Sequence, residues 1–262
     1  MARFVLVHGA FGGAWVWEPV VAELEAAGHR VEAPDLPGSG DDRTPVEQVN
    51  LDAYAERIRA VLASDPEPAV LVGHSMGGVA ITQAAGVARK RIALLVYVSA
   101  FMPADGQSLI ELTQLPEGHG DQVQANMVVE GDPPVASLTG EGARVACYGN
   151  CNEVQVSWAV GHMGLQAVAP FMEPVKLADP TANDIPRAYV ICSRDQAIPP
   201  PLQRRMVRDR GAQAVIEIDT DHSPWLSATG ALVAALDRLG RESDAGTLGA
   251  GDVLLGSREG EG

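Results

Sequence analysis

The chain has 262 residues, of which 46% are apolar, and this suits a single α/β domain with an insertion and a sizeable buried core. Its formal net charge is −15, with 19 Lys and Arg against 34 Asp and Glu. The basic face that a nucleic acid or an anionic membrane surface would require is therefore not expected. The first apolar run, residues 4–7, is too short for a signal peptide, and no apolar stretch reaches membrane-spanning length. We expect a soluble, cytoplasmic protein.

The three cysteines, Cys147, Cys151 and Cys192, are an odd number at a spacing that does not suggest a metal site. The four-residue separation of Cys147 and Cys151 has no second Cys or His pair nearby to complete a zinc site. Reduced thiols are therefore favoured over zinc binding or a disulfide framework.

Short apolar runs alternate with longer amphipathic stretches along most of the chain. The predicted strands are 4–7, 30–33, 69–72, 92–98, 188–192 and 215–218. The predicted helices are 19–27, 51–63, 77–88, 202–210 and 225–239. Strands that are apolar on both faces and alternate with helices predict an α/β fold with a six-stranded, mostly parallel sheet covered by helices on both faces.

The alternation of predicted strands and helices stops between residues 102 and 186, where Pro and Gly are frequent but apolar and aromatic residues are still present. We interpret this stretch as a partly helical cap inserted into a domain that spans residues 1–240. The alternative is that this stretch is a surface segment without a role in substrate binding. Residues 241–262 contain six glycines and five acidic against two basic residues, and this composition predicts a flexible acidic tail.

The segment after the third predicted strand contains the most informative motif. Gly73-His74-Ser75-Met76-Gly77 lies between a predicted strand and a predicted helix, and Gly-x-Ser-x-Gly in this setting is a nucleophile elbow. The serine has to stand on a sharp turn, clear of the sheet, and flanking glycines remove side chains that would collide there. The following helix directs backbone N–H groups at developing negative charge. The motif predicts Ser75 as a nucleophile.

A serine nucleophile needs a base and an acid from elsewhere in the chain. His222 follows the last predicted strand, and we predict that it deprotonates Ser75 and then protonates the leaving group. Asp195 follows the preceding predicted strand and would hold the histidine tautomer. The order Ser, Asp, His is that of α/β-hydrolases. Asp219 and Asp221 are alternative acids, although they share the loop of His222 and fit this order poorly.

A glycine-rich loop, residues 8–13 (HGAFGG), follows the first predicted strand. Its glycines would allow backbone N–H groups to approach a substrate oxygen, and we expect an oxyanion hole formed by the N–H groups of Ala10 and Met76. A phosphate-binding loop is the alternative, but the dinucleotide-binding and Walker patterns are both absent. His8 is expected to form a hydrogen bond within its own loop.

Together these motifs resemble the α/β-hydrolase superfamily, and within it the branch of plant methylesterases, hydroxynitrile lyases and small bacterial esterases. The resemblance lies in residues 4–17 (FVLVHGAFGGAWVW), 73–78 (GHSMGG), 193–195 (SRD) and 221–222 (DH), and it does not extend to the cap. Lyases of this branch have Thr after the first-loop His and Lys after the catalytic His. This chain has Gly9 and Ser223 at these positions, and both departures favour ester hydrolysis over cyanohydrin cleavage.

The residues and the resemblance predict a serine esterase that acts on a carboxylic ester of a small to medium apolar or aromatic molecule through an acyl-enzyme. A methyl ester is one candidate substrate. The reaction requires no metal and no cofactor, and its partner is a small-molecule ester. The alternatives are a lyase or cyclase that uses the same triad for proton transfer, a thioesterase, and a small-ligand receptor without turnover. The oligomeric state is left open.

Overall fold

The computed structural model describes residues 1–249, which contain a six-stranded sheet and an inserted segment. The elements before the insertion are β1 (Arg3–Val7), α1 (Glu18–Ala26), β2 (Arg30–Glu32), α2 (Leu51–Ala63), β3 (Ala69–Ser75), α3 (Gly77–Ala88) and β4 (Ile92–Ala100). Those within it are α4 (Leu109–Thr113), α5 (Gln122–Asn126), β5 (Met127–Glu130), β6 (Val135–Leu138), α6 (Gly140–Cys147), α7 (Glu153–His162), β7 (Gln166–Ala167) and α8 (Ala169–Met172). Those after it are β8 (Arg187–Cys192), α9 (Pro200–Arg210), β9 (Ala214–Ile218), α10 (Pro224–Ser227) and α11 (Thr229–Ala245).

The large sheet has the strand order β2-β1-β3-β4-β8-β9, and each neighbouring pair is parallel. The predicted six-stranded α/β sheet is therefore confirmed. Because the strands are parallel, their carboxyl ends lie along one edge. The loops that follow β1, β3, β4, β8 and β9 consequently meet there, although the residues that they carry are far apart in sequence.

The two faces of the sheet bury separate apolar clusters, because side chains alternate along each strand. On β1, Val5 and Val7 pack in the cluster with α2, α3 and α9, whereas Phe4 and Leu6 pack in the cluster with α1 and α11. These four side chains have no solvent exposure. Burial on both faces explains why the strands appear in the sequence as continuous apolar runs.

Arg3 joins the start of β1 to the end of α2. Its guanidinium is buried and donates to Glu32 Oε1 at 2.8 Å, to the carbonyl of Val61 at 2.7 Å and to that of Leu62 at 3.1 Å. It also reaches the carbonyl of Asp65 at 3.2 Å in the turn that follows. Arg3 therefore satisfies several backbone carbonyls at a helix end, which otherwise lack partners.

The described insertion between β4 and β8 contains five short α-helices and a three-stranded antiparallel sheet in the order β5-β6-β7. The antiparallel sheet was not predicted from the sequence. Side-chain caps begin several of the helices. Ser108 and Glu111 form a reciprocal capping box at α4, as do Asn152 and Gln155 at α7.

The predicted last helix is divided in the structure, because Ala228 leaves the helical conformation with φ −148° and ψ 41° between α10 and α11. The second part, α11, continues to Ala245, into the segment predicted as a tail, and Gly246 ends it in the left-handed conformation. The rest of the predicted tail, residues 250–262, lies outside the described residues. Along residues 1–249, no helix is both long enough and apolar enough to cross a membrane.

Candidate active site

The sharp turn between β3 and α3 presents Ser75 in a strained backbone conformation. Ser75 has φ +54°, a region that residues with a side chain rarely adopt. A Cβ atom at Gly73 would lie 2.6 Å from the carbonyl oxygen of Gly77, and one at Gly77 would lie 2.7 Å from that of His8. Both approaches are shorter than side-chain carbons allow. The two glycines are therefore required for α3 to pack this tightly against β1 and β3.

His222 and Asp195 lie on neighbouring loops and are hydrogen bonded to each other. His222 Nδ1 donates to Asp195 Oδ2 at 2.8 Å, and both side chains are almost fully buried. The other carboxylate oxygen, Oδ1, accepts from the backbone N–H groups of Ala197 at 2.7 Å and Ile198 at 2.9 Å. This arrangement fixes the tautomer of His222 and leaves Nε2 with a lone pair that can accept a proton.

Two further side chains that sequence reasoning missed contact Asp195. The hydroxyl of Ser99, at the end of β4, donates to Asp195 Oδ2 and lies 3.3 Å from His222 Nδ1. Ser99 is fully buried and has φ +43°. Gln203 of α9 donates to the same carboxylate oxygen at 2.9 Å. The unusual backbone of Ser99 is visible only in three dimensions, and no motif in the sequence indicated either residue.

The charges around His222 favour its protonated form. Burial by itself lowers the pKa of His222, but the charge and hydrogen bond of Asp195, with the charges of Asp221 and Asp121, outweigh it. The pKa of His222 is consequently raised above its ordinary value of 6.5. A raised pKa strengthens the imidazole as a base and stabilises the imidazolium that forms during proton transfer.

Asp219 and Asp221, the alternative acids, make other contacts. Asp219 lies at the surface and pairs with Arg194. Asp221 Oδ1 accepts from the N–H of Ser223 at 3.0 Å, and its Oδ2 accepts from the N–H of Asn150 at 2.7 Å. Asp221 thus holds the loop of His222 against the insertion, whereas Asp195 makes the direct hydrogen bond to the imidazole.

The loop after β1 lies beside Ser75. A Cβ atom at Gly9 would be 2.7 Å from the Cβ of Ser75, so the backbone of the loop passes very close to this serine. Among the described residues, the backbone N–H groups of Ala10 and Met76 have no acceptor, which leaves both available to a ligand. His8 Nδ1 donates to the carbonyl of Gly9 at 2.8 Å, and its Nε2 accepts from the N–H of Leu36 at 3.0 Å. His8 thus orders this loop.

His74, the variable residue of the elbow, has a structural contact that its position in the motif did not indicate. Its Nε2 donates to the backbone carbonyl of His222 at 2.8 Å, and the centroids of the two imidazole rings are 4.7 Å apart. Burial and the neighbouring His222 hold the pKa of His74 well below its ordinary value. A neutral His74 therefore joins the elbow to the backbone of the loop that carries His222.

A single pocket connects these groups. Ser75, Met76, Ala10 and His222 all line it, and most of the remaining lining is apolar or aromatic. The insertion contributes a large share of that lining, including residues of α4, α5, α6 and α8. Cys147 also lines the pocket, but burial raises the pKa of its thiol, so it is a poor competing nucleophile. Within residues 1–249, no group of His, Cys, Asp and Glu side chains is arranged to hold a metal ion.

The insertion is hydrogen bonded to three of the loops around the pocket. Gly164 N–H donates to the carbonyl of Phe11 in the first loop at 2.9 Å, and Gln122 N–H donates to the carbonyl of Gln196 in the Asp195 loop at 2.8 Å. The third contact is that of Asn150 with Asp221. The insertion and the sheet therefore enclose the pocket together.

Comparisons with known proteins place the chain among enzymes of one fold. The sequence profile of the alpha/beta hydrolase family matches residues 4–236. Methylesterase 7 of Arabidopsis thaliana is 33% identical over 247 residues, covering 89% of this chain and 94% of that protein. The alpha-hydroxynitrile lyase of Arabidopsis thaliana is 31% identical over 236 residues, covering 86% and 92%. The resemblance to this branch that the motifs indicated is confirmed.

A solved structure agrees with the sequence comparison. The crystal structure of a pyrethroid hydrolase from Sphingobium faniae JZ-2 superimposes with a TM-score of 0.80 at 25% identity, covering 93% of this chain and 98% of that one. This coverage is too high to leave out an insertion of this length, so the similarity extends beyond the sheet to most of the architecture.

Proposed function

The chain belongs to the alpha/beta hydrolase family and is an esterase-like hydrolase, and we propose that Ser75, His222 and Asp195 are its catalytic triad. The observation that supports this best is the hydrogen bond of 2.8 Å between Asp195 and His222 at the wall of the pocket that also contains Ser75. The strained elbow directs a serine at the same space. The acceptor-free N–H groups of Ala10 and Met76 supply the two donors that an oxyanion needs.

The proposed reaction has two proton-balanced halves. In the first, Ser75 Oγ attacks the ester carbonyl carbon while its proton passes to His222 Nε2, and the carbonyl oxygen becomes an oxyanion held by the N–H groups of Ala10 and Met76. The tetrahedral intermediate then collapses, and the departing alkoxide takes the proton from His222. In the second half, His222 deprotonates a water that attacks the acyl-enzyme, and Ser75 recovers its proton as the carboxylic acid leaves.

The lining of the pocket supports a small or medium ester with an apolar or aromatic body. Aromatic side chains from the core and the cap face the same space, including Phe11, Trp15, Phe101, Phe171 and Trp225. Such surfaces bind apolar groups through burial and ring contacts. A methyl ester is a suitable candidate, because its small alcohol leaves the pocket to the acyl group.

A lyase reaction is the second candidate, because a relative with 31% identity is an alpha-hydroxynitrile lyase. Two residues in the pocket favour hydrolysis. Gly9 takes the place of the Thr, and Ser223 that of the Lys, which lyases of this branch carry. Ser223 lines the pocket, and among the described lining residues there is no Lys or Arg to handle a cyanide anion.

Turnover of a short-chain nitrophenyl ester by the wild type and by Ser75→Ala tests the proposal. Intact mass after fluorophosphonate treatment gives an independent measurement of the nucleophile. We expect a single adduct in the wild type, none in Ser75→Ala, and loss of turnover in that variant. Ser157→Ala, which alters an exposed serine on α7, is the matched control and should behave as the wild type. Equal turnover by Ser75→Ala and the wild type would refute the assignment.

We also propose that the protein is located in the cytoplasm. Its support is that the three cysteines, Cys147, Cys151 and Cys192, are all free thiols, as is usual in a reducing compartment. Fractionation of source cells with antibody detection tests it. Recovery in an oxidising or membrane fraction would contradict it.

A further inference from the structure

One carboxylate stands out in the pocket. Among the described residues that line it, Asp121 is the one acidic side chain, and none is Lys or Arg. The lining also contains the imidazoles of His74 and His222. His74 donates to the backbone carbonyl of His222, and His222 donates to Asp195. The proposed mechanism makes no use of Asp121.

The carboxylate of Asp121 is held in a defined position. It caps α5, with Oδ1 accepting from the N–H groups of Val123 at 2.8 Å and Gln124 at 3.1 Å. Its Oδ2 accepts from the side-chain amide of Gln124 at 3.0 Å. A carboxylate offers about four acceptor sites, so Oδ2 keeps capacity for a further donor. The bond from Gln122 N–H to the carbonyl of Gln196 holds this part of the cap against the Asp195 loop.

The electrostatic setting makes the charge of Asp121 effective inside the pocket. Burial raises the pKa of Asp121, although its three N–H donors favour the charged form. Asp121 is also one of the carboxylates that raise the pKa of His222, so its field reaches the reacting centre. Because most of the lining is apolar, this field is screened less than it would be at the surface.

We propose that Asp121 determines the charge of the preferred substrate, and that the pocket selects esters whose acyl part carries a substituted ammonium group over neutral or anionic esters. This inference rests on the proposed esterase function. A substituted ammonium group would place its positive charge against the carboxylate of Asp121, and one that carries an N–H would also donate to the open acceptor site. The aromatic rings of Trp15, Tyr148 and Trp225, which line the same pocket, are compatible with a cation. An anionic acyl group would meet an uncompensated like charge.

A matched series of substrates isolates charge from shape. The probes are the methyl esters of phenylacetic acid with a para trimethylammonium, tert-butyl or carboxylate group, of which the first two have nearly the same shape. kcat/KM is measured for each ester with the wild type, Asp121→Asn and Asp184→Asn. Asparagine is also a good N-cap residue, so Asp121→Asn retains the start of α5. Asp184 is exposed and outside the pocket lining, and its variant is the control for loss of one negative charge.

We expect the wild type to prefer the trimethylammonium ester to the tert-butyl ester, and Asp121→Asn to reduce that ratio by about tenfold or more. The ratio of the carboxylate ester to the tert-butyl ester should rise in the same variant, and Asp184→Asn should change neither ratio. Ratios in Asp121→Asn equal to those of the wild type, or a wild type that prefers the anionic ester, would overturn the proposal.

Two additions keep the test decisive. Asp121→Ser retains a capping oxygen without the charge and serves if Asp121→Asn does not fold, with thermal unfolding as the check. Calorimetric binding of the same esters to Ser75→Ala reports charge preference without turnover. Binding that follows charge while the wild type hydrolyses none of the esters would reject the esterase proposal and support the role of Asp121. Turnover without charge preference would support the esterase proposal and reject the role of Asp121.

Discussion

The approach of the first loop to Ser75 makes Gly9→Ala an informative perturbation. The added Cβ would lie 2.7 Å from the Cβ of Ser75 and 3.2 Å from both Nδ1 and the carbonyl oxygen of His74. Nonbonded carbon atoms are most favourable at about 3.5–4.0 Å, so the loop has to retreat from Ser75 by roughly 1 Å. The N–H of Ala10, the next residue, would move with it.

The expected loss follows from the proposed role of that N–H. Removing one oxyanion donor lowers kcat by about 10²–10³, or roughly 2.7–4 kcal/mol, and a donor displaced by roughly 1 Å should lose most of this. KM should change little, because the donor acts mainly on the transition state. Overpacking also costs about 1–3 kcal/mol of stability, and each kcal/mol corresponds to a fall in Tm of roughly 2–4 °C.

The assay is steady-state hydrolysis of the nitrophenyl ester, performed well below the Tm of each variant so that loss of folded protein does not contribute. Gly230→Ala, on α11, is the matched control, since a Cβ there meets no atom within 4 Å. It should retain both kcat and Tm. A Gly9→Ala protein with wild-type kcat would refute the proposed contribution of the Ala10 N–H to catalysis.

The remaining predictions concern the pH profile, the hydrogen bond from Ser99 to Asp195 and the stability of the fold. Because the base must be neutral to accept a proton and the pKa of His222 is raised, kcat/KM should fall towards low pH with an apparent pKa above 6.5. Asp221→Asn removes one of the charges that raise it, so this limb should move to lower pH; an unchanged pH profile would contradict the stated electrostatics. Ser99→Ala removes a hydrogen bond to Asp195 and should lower kcat by about tenfold, since a bond to a charged group contributes roughly 1.5–3 kcal/mol, whereas a role in packing alone would lower only Tm. Arg3→Met leaves buried carbonyls and a carboxylate without their donor and should cost at least about 3 kcal/mol in urea unfolding, with kcat retained because Arg3 lies at the opposite end of β1 from the pocket.

Features that depend on nearby residues were predicted well from the sequence. The bounds of α2 and α3 agree with the predicted helices at residues 51–63 and 77–88, because apolar spacing and flanking residues define them locally. The six parallel strands followed from continuous apolar runs. The elbow was visible because its strand, its glycines and Ser75 lie within a few consecutive residues, and the same tight geometry requires them together.

The sequence also identified candidate residues whose contact only the fold creates. Asp195 and His222 are 27 positions apart, and they meet because β8 and β9 are parallel neighbours whose carboxyl ends share an edge. Their order along the chain predicted this pairing. Asp195 bonds directly to the imidazole whereas Asp221 bonds to Asn150, and this difference depends on the direction of each side chain rather than on chain order.

Other features depended on tertiary structure alone. Ser99 is 96 positions from Asp195, and its contact arises from the pairing of β4 with β8 and from a backbone angle that no local motif encodes. The antiparallel sheet of the cap and the entry of Asp121 into the pocket also depend on packing between distant segments. The sequence therefore determined the fold and indicated the proposed triad through local geometry and chain order. The tertiary structure determined the surroundings of those groups, because charge, burial and pocket shape result from contacts between distant parts of the chain.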